Sequence, residues 1–277
     1  MVYAADHFVL GDVDFDGTPD PSAWKSLGFD LDNADTSDPA NQPNCLLFGA
    51  PPQDRTQLLD GQGGIDNTFG ALLSQGWNAS AQQTSLATSG QWTLLIRVMG
   101  NDGSDGQVGV PGAAYVGAPL SAPPRFDGTD AWPPTTDSDP GGSPLAEWGA
   151  GYMVGSSFYV TEPMSIAFDM AGTSGRRARL PIRAMVVQLQ FSTDLSHITR
   201  GVLSGIVSNS DFDTSMSTCL GAPADAMSYT DILTDRAVDP SERCDGVSIA
   251  IGFTATQVTL AAPRSGLASP NQCGDGG

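Results

Sequence analysis

Glutamate, lysine and histidine are scarce in this chain of 277 residues, and their scarcity excludes several classes of function. Three Glu stand against 28 Asp, and one Lys stands against 11 Arg. The formal net charge of −19 would repel the phosphates of nucleic acids and the headgroups of anionic membranes. We therefore exclude nucleic acid as a partner and expect the acidic surface to attract divalent cations.

Long apolar runs are also missing. No stretch approaches 18 consecutive apolar residues, so the sequence predicts no membrane-spanning helix and no direct insertion into a membrane. The first residues, MVYAADHF, have neither the basic region nor the apolar run of a signal peptide. If the protein is exported, we expect these residues to belong to its mature part.

Cysteine occurs only four times, at Cys45, Cys219, Cys244 and Cys273, without the CxxC spacing of a zinc site. This even number favours disulfides and therefore an oxidising compartment outside the cytosol. Three pairings are possible, of which the sequence favours Cys219–Cys244 and Cys45–Cys273. Four buried free thiols are the alternative.

Glycine and proline are abundant, with 33 and 20 residues, which predicts many turns and few long helices. One short helix is predicted at 66–76, and strands are predicted at 7–15, 27–32, 91–100, 151–160, 164–170, 180–192, 198–209 and 246–260. This order predicts an all-β fold, namely an antiparallel β-sandwich that is jelly-roll-like, with one or two short helices and long loops. We expect one domain over 1–277, with an acidic N-terminal segment (1–40) and a proline-rich loop excursion (117–147).

The stretch GDVDFDGTPDP (11–21) concentrates negative charge in a way that predicts a calcium loop. Asp12, Asp14, Asp16 and Asp20 supply carboxylates, Gly17 permits a sharp bend, and Thr18 offers its carbonyl. The pattern DxDxDGxxD resembles the loops of EF-hands, dockerins and thrombospondin type 3 repeats. It departs from the EF-hand at the twelfth position, which is Ala23 instead of a bidentate Glu. The alternative is a surface turn in which Asp20 caps the turn that follows.

A second candidate calcium site joins two segments, FDLDNAD (29–35) and LLDGQGGIDN (58–67). Its oxygen ligands would be Asp30, Asp32, Asp60, Asp66 and Asn67, and the glycines would permit close approach. Ordinary turns with a helix cap at Asp66 are the alternative.

No catalytic residue is assigned. The two histidines and the three glutamates are isolated from one another, so neither a histidine-based triad nor a glycosidase carboxylate pair is predicted. Trp132, Trp148 and Tyr152 are candidates for a ligand surface that stacks on polysaccharide. The alternative is that these aromatic residues belong to the core.

Five phrases occur in an order that resembles an uncharacterised family of secreted proteins and lipoproteins from predatory, gliding soil bacteria. They are GFDLD (28–32), DGQGGIDN (60–67), QWTLLIRV (91–98), FDGTDAW (126–132) and CDGVSIAIGFTA (244–255). The resemblance implies export, and surface anchoring through a lipidated cysteine ahead of residue 1. It implies no activity.

These observations lead us to expect an exported, calcium-stabilised binding or structural module at the cell surface or outside the cell. One alternative is a carbohydrate-active hydrolase on a β-sandwich. The other is a self-assembling subunit of a surface layer or filament, in which copies of the chain are the partners and the strand at 7–15 is donated to a neighbour.

Overall fold

A computed structural model describes residues 1–37, 60–136, 138, 144, 146–171, 177–219 and 244–265. The strands are β1 (Val2–Val9), β2 (Thr93–Val98), β3 (Val108–Gly117), β4 (Ala131–Trp132), β5 (Ala146–Val154), β6 (Ser157–Ala171), β7 (Arg177–Phe191), β8 (His197–Ser208) and β9 (Gly246–Leu260). The α-helices are α1 (Thr68–Leu73), α2 (Ala79–Thr88) and α3 (Asn209–Cys219), and a 3₁₀ helix spans Ala23–Ser26.

Eight of these strands form one antiparallel sheet that closes on itself. The order is β1-β2-β3-β5-β6-β7-β8-β9, and β9 returns to pair with β1 from Val2↔Val258 to Val9↔Gly252. The short β4 adds to the end of β9 in parallel. Closure leaves β1 with a partner on each edge over its first residues, because Val2 also pairs with Arg97 of β2.

The interior of the closed sheet is filled with apolar side chains. The largest buried cluster takes residues from all eight strands and from the three α-helices. The helices pack at the end of the sheet where β1 and β8 finish and β9 begins. Two contacts illustrate this arrangement: the backbone N–H of Phe8 in β1 donates to Thr84 of α2 at 2.9 Å, and Phe69 of α1 meets Phe212 of α3 edge-on.

Two segments cover parts of the sheet's outer face. The residues after β3 lay Trp132 and Phe126 against a buried cluster that contains Leu95 and Tyr115. The acidic N-terminal segment lays Val13 and other apolar residues against β8 and β9. The outer surface of β5 and β6 carries no comparable apolar cluster among the described residues.

The predicted all-β, antiparallel fold with short helices and long loops is confirmed, as is the late strand at 246–260 that pairs back into the sheet. Within this class, consecutive strands pair along the chain and the last strand returns to the first. Among the helices that the structure describes, none has the length and apolar character needed to cross a membrane.

Candidate metal centre

Three aspartates from two separate segments meet beside helix α1. Oxygen atoms of Asp30, Asp32 and Asp66 all lie within 4.8 Å of one another. Asp30 is exposed, Asp32 is half-buried and Asp66 is 0 % exposed. Within the described part of the chain, this is the one group of three ligating side chains at such a spacing. Carboxylates brought this close repel one another, and a divalent cation between them would offset that repulsion.

Backbone N–H groups orient all three carboxylates. Leu31 donates to Oδ2 of Asp66 at 2.6 Å, which ties the two segments together across 35 positions of sequence. Asn33 donates to Oδ1 of Asp30 at 2.6 Å, and Ala34 donates to Oδ1 of Asp32 at 2.9 Å. The turn 30–34 therefore orients the carboxylates of Asp30 and Asp32 by its own backbone, and Leu31 binds the third carboxylate, that of Asp66.

The segment at 60–66 is held close to the turn by its glycines. Gly64 has φ +83°, and a Cβ built on it would lie 3.0 Å from both Oδ2 of Asp30 and the carbonyl oxygen of Ala34. Any side chain at this position would enter the acidic cluster. Asp60 lies nearby but serves another purpose, because its Oδ2 accepts from the backbone N–H of Thr36 at 2.8 Å.

The side chain of Asn67 binds three backbone groups beside the cluster, and calcium binding by Asn67 stays a prediction. Its Oδ1 accepts from the backbone N–H groups of Gly70 and Ala250, each at 3.0 Å, and its Nδ2 donates to the carbonyl of Leu27 at 3.0 Å. Both lone pairs of the amide oxygen are thus used by backbone donors. Asn67 caps α1, so the alternative in which Asp66 is the cap is wrong, and the bond from Ala250 of β9 fixes the position of the neighbouring Asp66.

The loop at 12–20 directs its carboxylates to local donors. Asp12 accepts from the N–H and hydroxyl of Ser80 and so caps α2 from a distant part of the chain. Oδ1 of Asp14 accepts from the N–H groups of Asp16 and Thr18. Oδ1 of Asp20 accepts from the N–H and hydroxyl of Ser22, which holds the pKa of Asp20 below its usual value.

This arrangement does not gather the aspartates of the 12–20 loop into a group of three with ligand spacing. The carbonyl of Thr18 accepts from the N–H of Asp14 at 3.0 Å. The loop thus adopts the turn that the sequence analysis gave as the alternative, with Asp20 bound to the residue that precedes the 3₁₀ helix. Calcium binding by this loop stays a prediction.

Two of the three aromatic residues considered for ligand binding are core residues. Trp132 and Trp148 are buried, and the indole N–H of Trp132 donates to the carbonyl of Ala118 at 2.9 Å. Tyr152 remains exposed and stacks on Tyr159 of the adjacent strand, with ring centroids 5.5 Å apart. A sugar-stacking surface built from all three rings is therefore not available in this fold.

Ser196, His197 and Asp194 come together in the turn between β7 and β8, but their order differs from that of a hydrolase triad. Asp194 accepts from the hydroxyl of Ser196 at 2.7 Å, and that hydroxyl also lies 2.6 Å from Nδ1 of His197. In a triad the histidine stands between the acid and the nucleophile. Here the serine stands between them, so the cluster serves as a hydrogen-bonded turn.

The same turn predicts a local sensitivity to acid. Hydrogen bonds from the side chains of Ser196 and Ser192, and from the Ser196 backbone, hold the pKa of Asp194 well below its ordinary value. A lowered carboxyl pKa stabilises the fold above the unfolded pKa of about 4, and this contribution disappears as the pH falls through the folded pKa. Asp194→Asn is therefore expected to flatten the decline of melting temperature below pH 4. Melting curves between pH 7 and pH 2 measure this, and a decline parallel to that of the wild type would contradict it.

Cys244 is buried two residues before β9 begins and is disulfide-bonded. Cys45, Cys273 and the side chain of Cys219 lie outside the described residues. The favoured pairings therefore stay a prediction. Residues 137, 139–143 and 145 of the predicted loop excursion (117–147) also lie outside the described residues.

Comparison with protein-family models, curated proteins and solved structures gave no match for this chain.

Proposed function

We propose that this chain is an exported binding or structural module, at the cell surface or outside the cell, that is stabilised by calcium bound at Asp30, Asp32 and Asp66. The observation that carries the proposal is the convergence of these three carboxylates within 4.8 Å, with Asp66 fully buried. Both contributing segments, 29–35 and 58–67, are those from which the sequence predicts a site.

The chemistry of the donors fits calcium better than zinc or copper. All three side chains offer hard oxygen ligands, and the cluster includes neither cysteine nor histidine. Calcium takes six to eight oxygens, so backbone carbonyls and water would complete its shell. The role that fits is structural, because the ion would join the turn at 30–34 to the segment that leads into α1.

Export is supported by the disulfide at Cys244, since disulfides persist in oxidising compartments. The resemblance to secreted proteins and lipoproteins of soil bacteria also favours export. Self-assembly through donation of the first strand is less well supported, because β1 is paired along its length with β9 and partly with β2.

The test is the melting temperature in calcium and in EDTA. At a calcium concentration about 50 times the dissociation constant, binding would stabilise the fold by about 2 kcal/mol. For a domain of this size that corresponds to a rise of roughly 4–8 °C. The double variant Asp30→Asn/Asp32→Asn is expected to lose most of this rise. Isothermal titration of the same variant with calcium is expected to show the loss of most of the heat of binding.

Asp16→Asn separates the two candidate sites, because it removes one charge from the 12–20 loop and leaves the Asp30 cluster intact. We expect this variant to keep the wild-type response to calcium. A response lost in Asp16→Asn and retained in Asp30→Asn/Asp32→Asn would assign calcium to the loop. Equal melting temperatures in calcium and in EDTA for the wild type would overturn the proposed function.

A further inference from the structure

The hairpin between β5 and β6 opens into a fork. Only three residue pairs join the strands, from Val154↔Ser157 to Tyr152↔Tyr159, although β6 continues to Ala171. Pro163 has no N–H to give to a ladder, and the N–H of Gly149 donates to the Glu162 carboxylate at 3.1 Å. Within the described residues, no strand pairs with the β5-facing edge of β6 beyond Tyr159.

The backbone of β6 directs hydrogen-bonding groups into this fork. Ala167 stands opposite Pro181 of β7, and proline cannot donate. Proline alone does not fix the orientation of Ala167, which is taken from Asp169, because backbone groups two residues apart in a strand point to the same edge. Asp169, two residues on, points its carbonyl away from β7, because that carbonyl accepts from Nε2 of Gln83 at 3.1 Å. Helix α2 thus reaches this edge at Asp169, while Ala167, two residues before, is half-buried and has no strand partner on that side among the described residues.

Exposed apolar side chains gather at the joined end of the hairpin, next to the point where the fork begins. Among the described residues, the large exposed hydrophobic side chains are Val108, Val154 and Tyr152, at 77 %, 58 % and 36 % exposed. Val108 stands directly opposite Tyr152 across the β3–β5 ladder, and Tyr152 stacks on Tyr159. Three such side chains on one sheet face, rather than scattered singly, are typical of a contact surface.

Glutamates line the fork beyond this apolar group. Glu162 is exposed and bridges the strands, and Glu147 is exposed on β5. Two of the three glutamates in the chain are therefore found here. A partner that fits this surface combines apolar side chains with positive charge.

We propose that the fork binds an extended peptide segment with alternating basic and apolar residues, which adds to β6 as an extra strand. The backbone of the peptide pairs with the edge around Ala167, its basic side chains meet Glu147 and Glu162, and an apolar side chain packs on Tyr152. A second copy of this chain is a poorer occupant, because each copy carries a net charge of −19 and would bring the same glutamates to the contact.

The test uses fluorescence anisotropy with a fluorescein-labelled peptide of four Lys-Val repeats. We expect saturable binding that is at least tenfold weaker for four Glu-Val repeats and for a Lys-Val peptide whose valines are N-methylated. Equal binding of the N-methylated peptide would overturn strand addition, since charge alone would then explain the affinity. Absence of binding by the Lys-Val peptide would overturn it as well.

Protein variants locate the contact. Ala167→Pro removes the outward N–H and is expected to weaken binding at least tenfold, whereas Ala167→Ser keeps the N–H and the affinity. Glu147→Gln/Glu162→Gln is expected to weaken binding at least threefold. Asp127→Asn removes one charge from the segment after β3 and should change the affinity less than twofold. If Ala167→Pro fails to fold, the affinity of the wild-type protein for the N-methylated peptide tests strand addition instead.

Sedimentation velocity tests whether a second copy of this chain occupies the fork. A wild-type dimer that dissociates in Glu147→Gln/Glu162→Gln or Ala167→Pro would identify a second copy as the occupant and overturn the peptide proposal. The fork uses no residue of the Asp30 cluster, so this result is independent of the calcium response.

Discussion

Trp92→Ala is expected to lower the free energy of unfolding by about 3–5 kcal/mol, because truncation of a buried tryptophan leaves a cavity that the core refills only in part. Trp92 is 1 % exposed and lies between two aromatic rings, with centroids 5.6 Å from Phe8 and 5.3 Å from Phe168. These three residues join β1, β6 and the segment before β2. Denaturant unfolding followed by circular dichroism measures the change.

Two controls accompany this variant. Trp92→Phe keeps an aromatic ring against Phe168 and should lose clearly less stability than Trp92→Ala. Val154→Ala truncates an exposed side chain and should stay within about 0.5 kcal/mol of the wild type. A loss below about 1 kcal/mol for Trp92→Ala would contradict the central position assigned to this ring.

Asn67→Gly should lower the free energy of unfolding by about 3–4 kcal/mol. The substitution removes three hydrogen bonds and leaves the N–H groups of Gly70 and Ala250 and the carbonyl of Leu27 without that partner inside the protein. Each buried polar group that loses its partner costs about 1–3 kcal/mol, and partial relaxation reduces the sum. Because Asn67 also fixes Asp66, we expect the calcium-dependent rise in melting temperature to shrink in the same variant.

Asn78→Gly is the matched control. Asn78 is the N-cap of α2, has φ +53° and makes no side-chain capping hydrogen bond. Glycine adopts positive φ without strain, so this variant should be nearly neutral or slightly stabilising. Equal losses of stability for the two Asn→Gly variants would contradict the role of Asn67 as a tie between segments.

The later strands could be predicted from the sequence more closely than the first one. The strand predicted at 7–15 is found at Val2–Val9, and the one predicted at 27–32 is not formed. The last strand was predicted at 246–260 and found at those residues, because it is rich in the β-branched residues Val, Ile and Thr. β3 was missed, since VGVPGAAYVG contains three glycines and a proline that are typical of turns. The run 151–160 was predicted as one strand, but a turn at Gly155, with φ +58°, divides it between β5 and β6.

Helix α2 was also missed, for a different reason. Its residues ASAQQTSLAT show almost no separation into polar and apolar faces, so the periodicity that identifies a helix is absent. What fixes this helix is tertiary: Asp12 binds its first turn, and Thr84 and Ser80 accept N–H groups from the end of β1. Hydrogen bonds across about 70 residues leave no local pattern in the sequence.

The candidate metal centre could be predicted in part. The convergence of Asp30, Asp32 and Asp66 follows the expectation that segments 29–35 and 58–67 join, which rested on their shared density of acidic residues and glycines. The cap of α1 is Asn67 and not Asp66, and this could not be predicted from the sequence, because the two adjacent residues differ only in side-chain direction. The donors that determine that direction, such as Ala250, lie 183 positions away.

The pairing of β1 with β9 has a consequence for biogenesis. Asp6 accepts hydrogen bonds from Thr254 and Thr256, the latter 250 positions further along the chain. During synthesis, the edge of β1 that pairs with β9 therefore stays uncovered until residues 246–260 have been made. Contacts of such sequence separation slow folding, so the closure of the sheet is expected to be a late step in folding.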